Sequence, residues 1–188
     1  MANFTPDEDY FTLLGMALDQ AQRVEFALYG LASHLGHTEN AKKDKRFVNL
    51  TAKDFLSADP AKRALRKATL GQLCRLFGDD LLLSGEVLDS FVEKRNIIVH
   101  EFFREACTPK GCYNINNPKQ YLLDFIKNVR FLEKAISGLL SLAIEAAAKK
   151  EGRTDELIFT QRDEENRKTY ELLVLINKFK NYSEKIDV

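Results

Sequence analysis

The chain has 188 residues, 45% of them apolar and 30% charged, which is enough apolar material for one core of ordinary domain size. Lys and Arg total 28, as do Asp and Glu, and that balance excludes a globally basic nucleic-acid binder while leaving room for a local basic patch. Thirteen Phe and six Tyr exclude a solvated, disordered chain, and nine Gly with four Pro mark too few turns for a hairpin-rich barrel or sandwich.

In chain order, the first segment runs from about Pro6 to Leu35. Thr5, with Glu8 three residues on and Pro6 between them, reads as a capping box with proline at the first helical position. Tyr10, Leu14, Ala17, Ala21, Val24, Leu28, Leu31 and Leu35 then recur at steps of four and three, a helical seam that no strand period generates. Gly36 is placed to cap its end. His37 to Asp59 is a polar connector with room for a short helix and an apolar pocket around Phe47, Val48 and Phe55.

Asp59-Pro60 opens a second helix, ending near Gly78, with Leu65, Leu70, Leu73, Leu76 and Phe77 on its buried face. A third runs from about Ser84, its candidate cap, to Glu105. The turn-rich piece from Cys107 to Pro118 follows. The fourth helix carries Leu122, Phe125, Val129, Leu132, Ile136, Leu139 and Ala143 and breaks at Gly152, and a last helix spans about 161–182. The expectation is an all-α fold: one helical domain over 1–188, a bundle of about five helices with its core over about 6–150.

The N-terminal residues carry neither a basic n-region nor an apolar h-region, so no secretory leader is expected. The most apolar stretch, Ala135 to Ala148, is interrupted by Ser137, Ser141 and Glu145 and is too short to span a bilayer. Cys74, Cys107 and Cys112 form an odd set without a C-x-x-C pair, which fits reduced thiols. These features predict a cytoplasmic protein with no membrane association.

The third helix holds an anomaly. Its apolar stripe reads Leu88, Val92, Arg95, Val99, Phe102, so a guanidinium stands where the seam expects an aliphatic side chain. Desolvating a guanidinium costs several kcal/mol unless it is paired or put to use. Asn96 is adjacent, and His100 lies four residues beyond Asn96, one helical turn away. A titratable imidazole, a fixed cation and an amide thus fall within about 8 Å along one helix.

Arg95-Asn-Ile-Ile-Val-His100 resembles the Arg-x4–6-His signature of the HEPN superfamily (higher eukaryotes and prokaryotes nucleotide-binding domains), including the polar residue that often follows the Arg. Thr69-Leu-Gly-Gln-Leu73, followed by Glu93 through Phe103, is similar to a group of bacterial proteins with this bundle. The resemblance implies an all-α bundle and, in the active members, a metal-independent endoribonuclease whose two protomers face each other through the motif helices. It also implies a role as a growth-arrest toxin or phage-defence effector, with an antitoxin or regulatory protein as partner. One departure is visible. Members silenced by nucleotidylation carry Tyr two residues after the His, whereas this chain has Phe102, which offers no hydroxyl.

The residue types suit that chemistry. Cleaving RNA without a metal needs a group to take the 2′-hydroxyl proton, one to protonate the departing 5′-oxygen, and positive charge on the phosphorane. An imidazole serves the first two roles and a guanidinium binds the non-bridging oxygens, so His100, Arg95 and Asn96 are the candidate catalytic set, with no cofactor. On an unbroken α-helix, however, five steps of about 100° leave Arg95 and His100 roughly 140° apart. A homodimer pooling both copies around one cleft overcomes this.

A blander reading has the same residues fixing helix register through a hydrogen-bonded network, to Asp19, Glu25 or another acid on a neighbouring helix; the protein is then a catalytically silent dimerisation or partner-binding module. Elsewhere, Lys62, Arg63, Arg66 and Lys67 form a basic face for RNA on the second helix, or simply a solvated one. Cys107 and Cys112 make a poor zinc pair. His34 and His37 sit where a helix dipole favours a cation. Glu101 is a possible assistant to His100 or a solvated acid.

Overall fold

The computed structural model describes residues 7–45, 47–48, 51, 72, 76, 85–107 and 115–183, and of these 85–86, 107 and 177–183 by backbone alone. Its first helix, α1, spans Glu8–Leu35. Asp7 is its cap: the carboxylate accepts the Tyr10 backbone N–H at 2.9 Å, and Glu8 and Asp9 add negative charge at the positive end of the dipole. The cap is therefore Asp7 rather than the expected Thr5, which lies outside the described residues. Tyr10, Ala17, Ala21, Val24, Leu28 and Leu31 are buried, as the seam requires, with Leu14 and Leu35 packed at its edges. Gly36 follows with φ −59° and ψ −14°, so the helix end makes no use of glycine's left-handed freedom.

The connector forms one short helix, α2 (Glu39–Lys42), capped by Thr38, whose hydroxyl donates back to the Leu35 carbonyl at 2.9 Å. Phe47 is fully buried beside it, but Val48 of the expected pocket is exposed, and Phe55 lies outside the described residues. The second helix of the sequence reading also lies outside them, apart from Gln72 and Leu76, which are helical.

The third helix is interrupted. It begins as α3 (Gly85–Asn96), passes through one turn of π-helix at Ile97–Glu101, and ends as α4 (Phe102–Cys107). The buried set is Leu88, Phe91, Ile97, Ile98, Phe102 and Glu105, and Val99, expected in the stripe, is 40% exposed. The π turn explains the shift. An i→i+5 ladder packs more than four residues into each turn, so the residue four beyond Arg95 no longer stands over it. Three consecutive β-branched residues, Ile97-Ile98-Val99, crowd the preceding turn in a regular α-helix, and this is where the geometry gives way.

α5 (Pro118–Glu151) is the axis of the bundle and about 50 Å long. Pro118 sits in its first turn, Asn117 accepts the Gln120 N–H at 3.1 Å, and Gly152 closes it in the left-handed region at φ 67°. Arg153 N–H reaches the Ala148 carbonyl at 2.9 Å across that glycine, the bond pattern of a Schellman end. Leu122, Phe125, Val129, Leu132 and Ile136 are buried. α1 packs along one side of α5 and α6 (Gln161–Ser183) along the other. Thr160 and Asp163 cap α6 reciprocally: Thr160 N–H donates to the Asp163 carboxylate at 2.8 Å, and Asp163 N–H to the Thr160 hydroxyl at 3.3 Å.

The α5–α6 approach is close because Gly138 stands at the crossing; a Cβ there would collide with the Asn166 carbonyl. At the other end Phe102 stacks on Tyr10 at 5.9 Å and meets Tyr121 at 5.8 Å, joining α4 to α1 and α5. Truncating so enclosed a ring costs about 3–5 kcal/mol. Among the described residues there is no strand, and the architecture is an all-α bundle. No helix among them is long and apolar enough to cross a membrane.

Candidate functional site at the π turn

Arg95 is the next-to-last residue of α3, two positions before the π turn, and its side chain crosses to α1. Its Nε donates to Glu25 Oε1 at 2.6 Å, and its Nη1 donates to Asn96 Oδ1 at 3.1 Å. About a quarter of the Arg95 side chain (24%) and a fifth of the Glu25 side chain (21%) are exposed, so the pair is neither a core triad nor a loose surface contact. Of the acids considered for this role, Glu25 supplies the partner; Asp19 instead pairs with Arg23 on its own helix at 2.8 Å.

His100 has a different environment. It is exposed and makes no hydrogen bond or ion pair among the described residues. It lies five positions after Arg95, inside the π turn, whereas Arg95 lies in α3 before it. A π turn advances fewer degrees per residue than an α turn, so the offset between the two positions is smaller than the roughly 140° of an unbroken α-helix. Asn96, Val99, His100 and Phe103 follow one another along the solvent side, with Phe103 66% exposed.

The flanking groups are committed elsewhere. Glu101 pairs with Arg104 at 2.7 Å rather than with His100. Arg104 also contacts Glu105 at 3.0 Å, a carboxylate on the core side that sequence patterning did not single out, although it falls three residues after Phe102 on the same stripe. Phe102 is 3% exposed and part of the core.

The other candidate residues are separate from this cluster. Lys62, Arg63, Arg66 and Lys67 lie outside the described residues, as do Cys74, Cys112 and the Cys107 side chain. His34, in the last turn of α1, is half-buried, and that burial pushes its imidazole below the ordinary value of 6.5, which opposes the dipole role read from its position. Among the described residues no three His, Cys, Asp or Glu side chains converge as a metal-binding group. A groove of about 460 Å³ borders the opposite side of the motif helix, lined by Glu93, Lys94, Ile97, Asn116, Tyr121 and Asp124.

No family model, curated protein or solved structure matches this chain.

Proposed function

We propose that the protein is a metal-independent endoribonuclease of HEPN type, acting as a growth-arrest toxin or phage-defence effector. The observation that supports this reading is the contrast along one helix: a braced guanidinium at Arg95 and, five positions on in the π turn, an exposed imidazole at His100 with no partner among the described residues. Structural histidines are normally hydrogen-bonded, and π turns inside α-helices are frequent at functional sites.

In this mechanism His100 takes the proton from a ribose 2′-hydroxyl. The 2′-oxygen attacks the adjacent phosphorus, the bond from phosphorus to the 5′-oxygen breaks, and the leaving oxygen takes a proton, leaving a 2′,3′-cyclic phosphate. Arg95 neutralises the non-bridging oxygens through the N–H groups it has left, and Asn96, whose Oδ1 already accepts from Arg95, presents its amide N–H groups. A second copy's His100 supplies the acid in a homodimer. The exposed Val99 and Phe103 beside His100 support self-association along this strip, since exposed apolar side chains rimmed by polar ones mark interaction sites.

A second reading is favoured by one observation, the Arg95–Glu25 bond, which occupies the guanidinium structurally. On that reading the helix is a silent module that docks a second copy, an antitoxin or a regulatory protein. Incubating the purified protein with mixed-sequence RNA in excess chelator distinguishes the two. The nuclease reading requires cleavage with cyclic phosphate ends, and a loss of about two to four orders of magnitude in His100→Ala with an unchanged melting curve. Wild-type protein that leaves every RNA intact makes it the silent module.

A further inference from the structure

The bond between Glu25 and Arg95 admits a second role besides bracing α1 against α3. A guanidinium has five N–H groups, and here two are used: Nε–H by Glu25 and one on Nη1 by Asn96. Among the described residues nothing else takes its donors, which leaves one N–H on Nη1 and both on Nη2 for phosphate oxygens. Glu25 takes Nε at 2.6 Å from a neighbouring helix, which holds the plane of the guanidinium without using either Nη2 donor. A carboxylate that blocked the site would take the terminal edge or chelate both nitrogens of one edge. Only Arg95 Nε is bonded to Glu25, and about a quarter of the Arg95 side chain stays exposed.

We propose that Glu25 is a positioning residue for phosphate recognition: by holding Arg95 at Nε it aims the remaining guanidinium N–H groups, those of Nη2 above all, at the RNA phosphate that His100 attends. This rests on the ribonuclease reading and adds to it a residue 70 positions away in sequence, on a helix that carries no part of the motif. The carboxylate does not touch substrate; its effect passes through Arg95. A guanidinium released from its brace still carries its charge, so ground-state attraction to RNA persists while the aim required at the phosphorane is lost. Misplacement by about 1 Å is enough to cost about a hundredfold in rate.

The test compares wild type, Glu25→Gln and Glu25→Ala by steady-state cleavage of a short oligoribonucleotide, by binding of its non-cleavable 2′-O-methyl analogue, and by thermal melting. Glu25→Ala is expected to lower kcat by about ten- to a hundredfold with KM and analogue affinity within about threefold of wild type. Glu25→Gln, which keeps an oxygen acceptor for Nε–H, is expected to restore most of kcat. A merely structural Glu25 gives a lower melting temperature with kcat unchanged below it, and that result overturns the proposal. A rise in rate or analogue affinity in Glu25→Ala also overturns it, showing that the carboxylate competes with phosphate for Arg95. If wild-type protein neither cleaves the RNA nor binds the analogue, the ribonuclease reading fails and the positioning role fails with it, whereas cleavage by wild type at a rate matched by Glu25→Ala removes the positioning role alone.

Discussion

Arg167 and Arg95 both cross between helices in this bundle, and the way each is used separates a structural seam from a chemical one. Arg167 on α6 donates Nε to the Ser141 hydroxyl at 2.9 Å, Nη1 to Glu145 at 2.7 Å and Nη2 to the Ser141 carbonyl at 3.3 Å, and lies 3.9 Å over the Phe159 ring. All three of its nitrogens are engaged and one face is covered. Arg95 is about as buried, at 24% exposed against 19%, yet among the described residues its Nη2 makes no bond and His100, five positions on, has no partner. Burying a guanidinium is costly, and a seam built for stability saturates it. Leaving donors free at a similar depth makes sense where something else is to occupy them.

Replacing each arginine by alanine gives the largest contrast. Arg95→Ala is expected to reduce RNA cleavage by about two to three orders of magnitude, the loss seen when a group stabilising developing negative charge is removed, while the helical signal remains. Arg167→Ala is expected to lower the melting temperature more than Arg95→Ala does and to leave cleavage intact below it. Parallel cleavage assays and melting curves check both, and equal loss of activity in the two variants would erase the distinction between the seams.

A smaller effect sharpens the structural side. Gly138→Ala places a methyl against the Asn166 backbone, which no rotamer change relieves, so α6 must move off α5. Overpacking of this kind costs about 1–3 kcal/mol, read as a lower urea midpoint. Gly30→Ala, where the added Cβ meets only the flexible end of Leu140, serves as the control and is expected to cost less.

The smallest effect is on pH. His34 titrates below its ordinary value because burial disfavours the imidazolium. Below pH 6.5 the unfolded chain therefore binds a proton that the folded chain does not, and stability falls as pH drops from about 6.5 toward the folded-state value. The carboxyls of Glu145, hydrogen-bonded by Lys149 and Arg167, and of Asp7, hydrogen-bonded by Lys119, are held below the usual range, so their contribution is lost only at more acidic pH. Melting temperatures at pH 7.5 and 5.5 should fall less in His34→Gln than in wild type. An identical drop in both would assign the acid sensitivity elsewhere.

The helical character of the chain, the buried faces of α1 and α5, the break at Gly152 and the position of the last helix were legible in the sequence, because apolar spacing and backbone preferences are local properties. So was the oddity of Arg95 in an apolar stripe with Asn96 and His100 close by. Which acid would answer Arg95 was not: Asp19 and Glu25 both lie on α1, and only the packing of α3 against α1 brings Glu25 to 2.6 Å while Asp19 turns to Arg23. The exposure of Val99 was likewise hidden, since it follows from the π turn, and α and π geometry share nearly the same backbone angles and differ in which carbonyl each N–H finds. The Gly138–Asn166 crossing and the saturation of Arg167 depend on residues more than twenty positions apart meeting across two helices. Local chemistry along the chain set which segments coil and which faces are oily; the order in which those faces close on one another decided which guanidinium is sealed and which is left with donors to spare.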